Sequence, residues 1–100
     1  MLWRRYRRRS ARVLLVDRDD KILLFANVDP VLAPAGHVWI TPGGGVERRE
    51  SLPVAASREL REETGLHVAP EVLGAPVAYA SGYADLSWAR GVFRDDYFFH

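Results

Sequence analysis

Short apolar runs punctuated by polar, glycine and proline clusters predict a chain of brief strands and one helix. Val13-Leu14-Leu15-Val16 and Ile22-Leu23-Leu24-Phe25 flank the polar connection Asp17-Arg18-Asp19-Asp20-Lys21 and together predict an antiparallel β-hairpin. Residues 27–36 contain Pro30, Pro34 and Gly36 and predict a surface loop. Val38-Trp39-Ile40 then reads as a brief strand, ended by Pro42 and a turn of three glycines, Gly43, Gly44 and Gly45. Helical signals start at Ser51, an N-cap type, with Pro53 near the first helical position, and stop at Gly65, which suits a left-handed C-terminal residue. The predicted helix is therefore Leu52 to Thr64, with Pro53, Ala56, Leu60 and Thr64 on the face toward a sheet and Leu66 folded back onto Leu60. Residues 67–73 and 77–79 predict strands, 81–91 a polar turn region, and 93–99 a last strand.

Acidic residues on that helix break a local rule. With Glu59 as origin, Glu62 and Glu63 fall within a sector of about 100° on the helical wheel. Like charges at these spacings repel by a few tenths of a kcal/mol each, and acids in a last turn oppose the macrodipole by about 0.3–1 kcal/mol apiece. A solvated acidic face relieved by Arg58 and Arg61 is the plain explanation for an arbitrary helix. The glycine triplet just upstream and the charged turn holding Glu47 and Glu50 favour a loop-helix unit that could hold a hard dication and a diphosphate together.

Charge and composition narrow the field further. The 100-residue chain carries a net charge of +1, so no global field selects a partner. Its 48% apolar and 27% charged residues are those of a globular chain, not a disordered one. The absence of cysteine removes disulfides, thiolate metal sites and cysteine nucleophiles, and points by default to the cytoplasm. Arg4, Arg5, Arg7, Arg8, Arg9 and Arg12 crowd the start without an acid among them. Residues 1–11 are expected to be a solvated basic arm ahead of a domain over 12–100, in preference to a nucleic-acid site or a transit segment. The longest apolar stretch, residues 72–80, is broken by Gly74 and Pro76 and falls short of the roughly 20 residues of a membrane span, so no membrane partner is expected.

The segment from Gly43 to Leu66, GGGVERRESLPVAASRELREETGL, resembles the Nudix box. That pattern runs Gly, five residues, Glu, seven residues, Arg-Glu, an aliphatic residue, any residue, Glu-Glu, any residue, Gly and an aliphatic residue. Gly44, Glu50, Arg58, Glu59, Leu60, Glu62, Glu63, Gly65 and Leu66 fill every specified place.

The resemblance implies an α/β fold, a Nudix-like α/β/α sandwich with a mixed sheet and the box helix, here without the family's C-terminal helix. It implies a Mg²⁺-dependent, or Mn²⁺-dependent, hydrolase of a nucleoside diphosphate linked to another group. Glu59, Glu62 and Glu63 would be the metal ligands and catalytic acids, joined by a backbone carbonyl near Gly44; Glu50 and Arg58 would brace the loop, and Gly65 would stop the helix. The general base would be a box glutamate or a residue from a later loop. Substrate contacts are expected from Trp39, Gly43 and Gly45, with Trp39, Tyr83 and Trp88 the aromatics available to stack on a base, although packing is the commoner fate of such residues. Lysine often stands at the third box position in the branch that removes mutagenic nucleotides, and Gly45 here disfavours that branch. Two other readings stay open: a nucleotide-derivative-binding module or inactive fragment, and nucleic-acid binding through the arginine arm. Without a covering helix, Tyr97, Phe98 and Phe99 would be exposed and invite homodimerisation.

Overall fold

A computed structural model describes residues 4–27, 36–86 and 91–100, with side chains at 7–27, 36–82 and 96–100. In chain order the elements are β1 (Arg4–Arg12), β2 (Phe25–Asn27), β3 (Val38–Ile40), β4 (Gly43–Gly45), α1 (Leu52–Thr64), α2 (Pro70–Leu73), β5 (Ala78–Leu86) and β6 (Gly91–Phe99). Four strands form a mixed sheet in the order β4-β1-β6-β5, and β2 and β3 pair separately. β1 runs parallel to β6 and antiparallel to β4, while β5 and β6 are antiparallel.

The largest correction concerns the basic start of the chain. Arg4–Arg12 is a strand of the sheet, paired along its whole length with β6 and over Ser10, Ala11 and Arg12 also with β4, and not a solvated arm. Alternation turns Ala11 and Val13 into the core and puts Arg8, Ser10 and Arg12 on the opposite face, while Arg7, on the Ala11 side, donates through Nε to the buried Asp96 Oδ2 at 2.9 Å. Strand pairing satisfies the backbone, and the long aliphatic stems can lie along the sheet with their charged ends outward.

α1 covers the Ala11 face. Ser51 Oγ accepts from Val54 N–H at 3.3 Å, a cap that contributes about 1 kcal/mol. Gly65 ends the helix at φ 80°, where its N–H donates to Arg61 O. Ala55, Ala56 and Leu60 are fully buried against Ala11 and Val13, with Leu15, Val46, Val68 and Leu73 at the margin. Full burial of Leu60 contributes about 1.5–3 kcal/mol. The alanines let helix and sheet approach closely. Leu66 is 46% exposed, and its N–H goes to Thr64 Oγ1.

Other expectations also change. Residues 13–16 and 22–25 make a single bridge, Val16 to Ile22, not a laddered hairpin, although Asp17 Oδ1 does organise the turn by accepting from the N–H groups of Asp19 and Lys21. The glycine triplet is an edge strand and not a turn, with Ser10, Ala11 and Arg12 opposite Gly45, Gly44 and Gly43. Residues 67–73 hold the short helix α2 where a strand was expected, because Pro70 takes a first helical position that favours its fixed φ. β5 runs on to Leu86, through part of the expected turn region. Tyr97, Phe98 and Phe99 are half-buried, with Phe98 against the Tyr79 ring at 5.2 Å and Tyr97 under the Arg12 guanidinium at 5.9 Å. Among the described residues no helix is long and apolar enough to cross a membrane.

Candidate active site

The site is built where α1 crosses the edge strand β4. Gly44 faces the helix, and a Cβ placed on it would lie 2.6 Å from the Glu59 carboxylate. Only glycine lets that carboxylate rest on bare backbone. Gly43 adopts φ 142°, a conformation that side chains rarely take, and its N–H donates to Glu63 Oε2 at 3.1 Å. Glu59 and Glu63, one helical turn apart, therefore reach adjacent residues of β4, Gly44 and Gly43 respectively.

Beside them a second cluster is fully satisfied. Arg58 Nε and Nη2 donate to both Glu50 oxygens at 2.7 and 2.9 Å, Nη1 donates to Glu59 Oε1 at 2.9 Å and Glu62 Oε2 at 3.3 Å, and Nη2 also reaches Gly45 O at 3.1 Å. The turn before α1 presents Glu50: Arg49 sits at φ 67°, and Glu50 Oε1 accepts from Glu47 N–H at 2.9 Å. Arg58 and Glu50 side chains are only 17% and 11% exposed, so this bidentate pair is shielded from water and salt.

Electrostatics divides the acids into two kinds. The Arg58 hydrogen bonds hold the Glu50 carboxyl below the usual carboxylate range, against an opposing effect of burial, and Glu50 with Glu59 pushes the Arg58 pKa up. Glu63 moves the other way. Burial of its carboxyl raises its pKa, the neighbouring Glu59 charge and a hydrogen bond with Glu59 raise it further, and the Gly43 N–H and Arg12 oppose the rise. Glu59 and Glu63 thus form a pair of carboxylates crowded against each other, which a dication would relieve.

The box residues are not all gathered at one point. Glu62 is 53% exposed and turned toward Arg58, and among the described residues no three acidic or histidine side chains converge into a metal cage. Glu59 lies on the Gly44 backbone and Glu63 accepts from the Gly43 N–H, while Glu62 shares Arg58 Nη1 with Glu59. Of the aromatic candidates, Trp39 lies 64% exposed on β3, while the side chains of Tyr83 and Trp88 lie outside the described residues.

Trp39 helps line an open cleft of about 310 Å³ with Arg12, Leu24, Ile40, Thr41, Tyr97 and Phe99. Arg12 donates to Thr41 O at 3.1 Å, and a Cβ on Gly43 would lie 2.7 Å from Arg12 Cδ. The cleft therefore abuts β4, the strand on which the α1 carboxylates rest. Sequence reasoning missed Arg12, Tyr97 and Phe99 as lining residues. Their alternation with Ala11 and Phe98 is the signal the sequence carries, and the expectation of a solvated basic arm over residues 1–11 hides the strand to which Arg12 belongs.

Comparison with known proteins agrees with this architecture. Over 59 residues the chain is 44% identical to the m7GpppN-mRNA hydrolase NUDT17 of Danio rerio, covering 59% of this chain and 19% of that protein. It is 37% identical over 60 residues to the RNA pyrophosphohydrolase of Sphingopyxis alaskensis, covering 60% and 35%. The matched stretch thus spans only a fifth to about a third of these relatives' length. The solution structure of the E. coli ORF135 protein superposes over 94% of this chain and 60% of its own, with a TM-score of 0.61 and 28% identity. A MutT protein from Methanosarcina mazei shares the fold at a TM-score of 0.61 and 24% identity, covering 95% and 63%. The NUDIX domain profile matches residues 6–98, nearly the whole chain and including most of β1, and the chain belongs to that family.

Proposed function

We propose that the chain is a divalent-metal-dependent pyrophosphohydrolase domain that cleaves the diphosphate linkage of a nucleoside diphosphate derivative. The observation that carries this reading is the crowding of Glu59 and Glu63 on the bare backbone of Gly43 and Gly44. Relatives described as an RNA pyrophosphohydrolase and an mRNA-cap hydrolase support it as a reading of the reaction class.

The donors present suit a hard cation. Mg²⁺ or Mn²⁺ takes oxygen ligands, and Glu59, Glu63 and the Gly44 carbonyl would hold it, with Glu62 joining by releasing its 3.3 Å contact to Arg58. When bound, the ion would neutralise phosphate charge and activate a water. The chain's own residues do the rest. Arg58 and Glu50 fix the approach of α1 to β4, so the carboxylates are held without further ordering at each turnover. Trp39 and Tyr97 offer aromatic surface for a base, and Arg12 offers a cation between that cleft and Glu63. The general base is one of the box glutamates or a residue of a later loop.

Turnover of a nucleoside-diphosphate panel with Mg²⁺, comparing the wild type with Glu59→Gln and with a Glu62→Gln, Glu63→Gln double variant, tests the reading. Loss of turnover in variants that melt normally is the expected result; survival of full turnover in the double variant would remove Glu62 and Glu63 from the catalytic set. The outward turn of Glu62 favours a second reading, a module that binds such a nucleotide without cleaving it. Binding without product release by the wild type would establish that alternative.

A further inference from the structure

The cleft beside β4 carries a charge of one sign. Its walls are aliphatic and aromatic apart from Thr41, and among the described residues that line it Arg12 alone is charged. No carboxylate among them answers that charge. Glu63, which feels Arg12 electrostatically, belongs to α1 and so to the other face of the sheet.

The fold holds the Arg12 guanidinium at the cleft wall through three neighbours. Its stem lies where a Gly43 side chain would otherwise sit, since a Cβ there would be 2.7 Å from Arg12 Cδ. Nη1 donates to Thr41 O at 3.1 Å, in the connection between β3 and β4. Cζ lies over the Tyr97 ring on β6, 5.9 Å from its centroid, so that ring already holds a cation. Trp39, 64% exposed, is the wall left for a base to lie against.

Distance then decides what base the cleft tolerates. A base inside about 310 Å³ lies within roughly 7 Å of the Arg12 charge, which is less than the Debye length of about 8 Å at physiological salt. A neutral base meets no penalty there. A positively charged base meets a like charge across a mostly apolar gap, with no acid lining the cleft to offset it; the open mouth lets water weaken this repulsion without abolishing it.

We propose that Arg12 makes this cleft select neutral nucleobases and reject cationic ones, such as an N7-alkylated purine. This rests on the proposed reading of the substrate as a nucleoside diphosphate derivative whose base enters the cleft.

The test uses the full chain and three ligands that differ at a single ring position: guanosine diphosphate, its N7-methyl form and its 7-deaza form. Binding is followed by calorimetry on the acid side of neutrality, where the methylated base is cationic, without any demand for turnover. The wild type is expected to bind the methylated ligand about 10-fold more weakly than the parent, and the neutral 7-deaza ligand within about twofold of it. Raising the salt concentration should narrow the gap between methylated and parent ligands. Arg12→Met keeps a stem over Gly43 without the charge, and should bring all three ligands within about twofold of one another whatever it does to their common affinity. Arg12→Lys should keep the preference, and so should His37→Ala, which removes the ring 6.4 Å from Trp39. If Arg12→Met fails to fold, the salt dependence and the 7-deaza control in the wild type still decide the matter. A wild type that binds none of the three, or binds the methylated ligand as tightly as the parent, would overturn the proposal. So would a 7-deaza ligand as weak as the methylated one, or a preference that survives Arg12→Met or disappears in His37→Ala. Should the wild type discriminate as expected and yet hydrolyse no member of the nucleoside-diphosphate panel, the hydrolase reading fails while the role of Arg12 in the cleft stands; turnover without discrimination does the reverse.

Discussion

Glu50 and Glu63 are both glutamates beside the same helix, yet their surroundings move them in opposite directions. Glu50 accepts two hydrogen bonds from Arg58 and is held ionised, whereas Glu63 is pushed toward its neutral form by burial first and by the neighbouring Glu59 charge after it. The first arrangement stabilises the chain by itself. The second costs stability unless a cation arrives. The contrast separates what in this loop-helix unit serves the fold from what serves a ligand, and it can be challenged residue by residue.

Glu59→Gln should have the largest effect. Removing one carboxylate from the crowded pair is expected to lower metal-dependent turnover about 100- to 1000-fold, equivalent to about 2.7–4 kcal/mol of barrier, while the melting temperature holds or rises. Steady-state kinetics and a thermal scan on the same sample check both halves. Arg58→Ala should do the reverse in kind, since it strands the Glu50 carboxylate, 11% exposed, without its partner. A loss of about 2–4 kcal/mol is expected, read as a fall of at least about 10 °C in melting temperature. If Arg58→Ala melts like the wild type, the division between the two clusters is wrong.

Gly44→Ala comes next. Its Cβ would displace the end of a flexible Glu59 side chain, so turnover should drop about 10-fold, or roughly 1.4 kcal/mol, with little change in melting. An unchanged rate would show that Glu59 need not lie on the β4 backbone.

The pH dependence sharpens the same contrast with a smaller effect. Glu50 has a lowered folded pKa, so its contribution is complete above the ordinary glutamate value of about 4.3 and is lost as pH falls through the folded value. Glu63 has a raised folded pKa, so its contribution is present below that ordinary value and is lost as pH rises through the folded one. Melting curves from pH 3 to 7 should therefore show the acid-side loss shrink in Glu50→Gln, and the loss on the rising side shrink in Glu63→Gln. Leu66→Ala should matter least, by less than about 0.5 kcal/mol in urea unfolding, because that side chain is exposed and caps nothing.

The helix was the most legible part of the chain, because its limits rest on local chemistry: Ser51 as cap, Pro53 in the first turn, Gly65 as stop. Leu52–Thr64 is found as predicted. The Glu50–Arg58 pair was legible from the box resemblance, and the geometry bears it out. The arginine strand was not legible, since runs of like charge usually mark solvated chain, and only the partners β4 and β6 make Arg4–Arg12 a strand. For the same reason the glycine triplet read as a turn: glycine carries no strand signal of its own, and pairing with Ser10, Ala11 and Arg12 decides its shape. The outward Glu62 was hidden as well. Wheel geometry places three acids on one face, but it does not show that Arg58 Nη1 bonds two of them, Glu59 and Glu62.

Glu59 and Glu63 are crowded together where one cation would satisfy both. Titration of Mg²⁺ into the folded chain near neutral pH by calorimetry, with Glu59→Gln and Glu63→Gln alongside, tests this most directly. Saturable uptake by the wild type, weakened by at least about 10-fold in either variant, is the predicted result. Wild-type chain that takes up no Mg²⁺ or Mn²⁺, or variants that bind as tightly as the wild type, would contradict it.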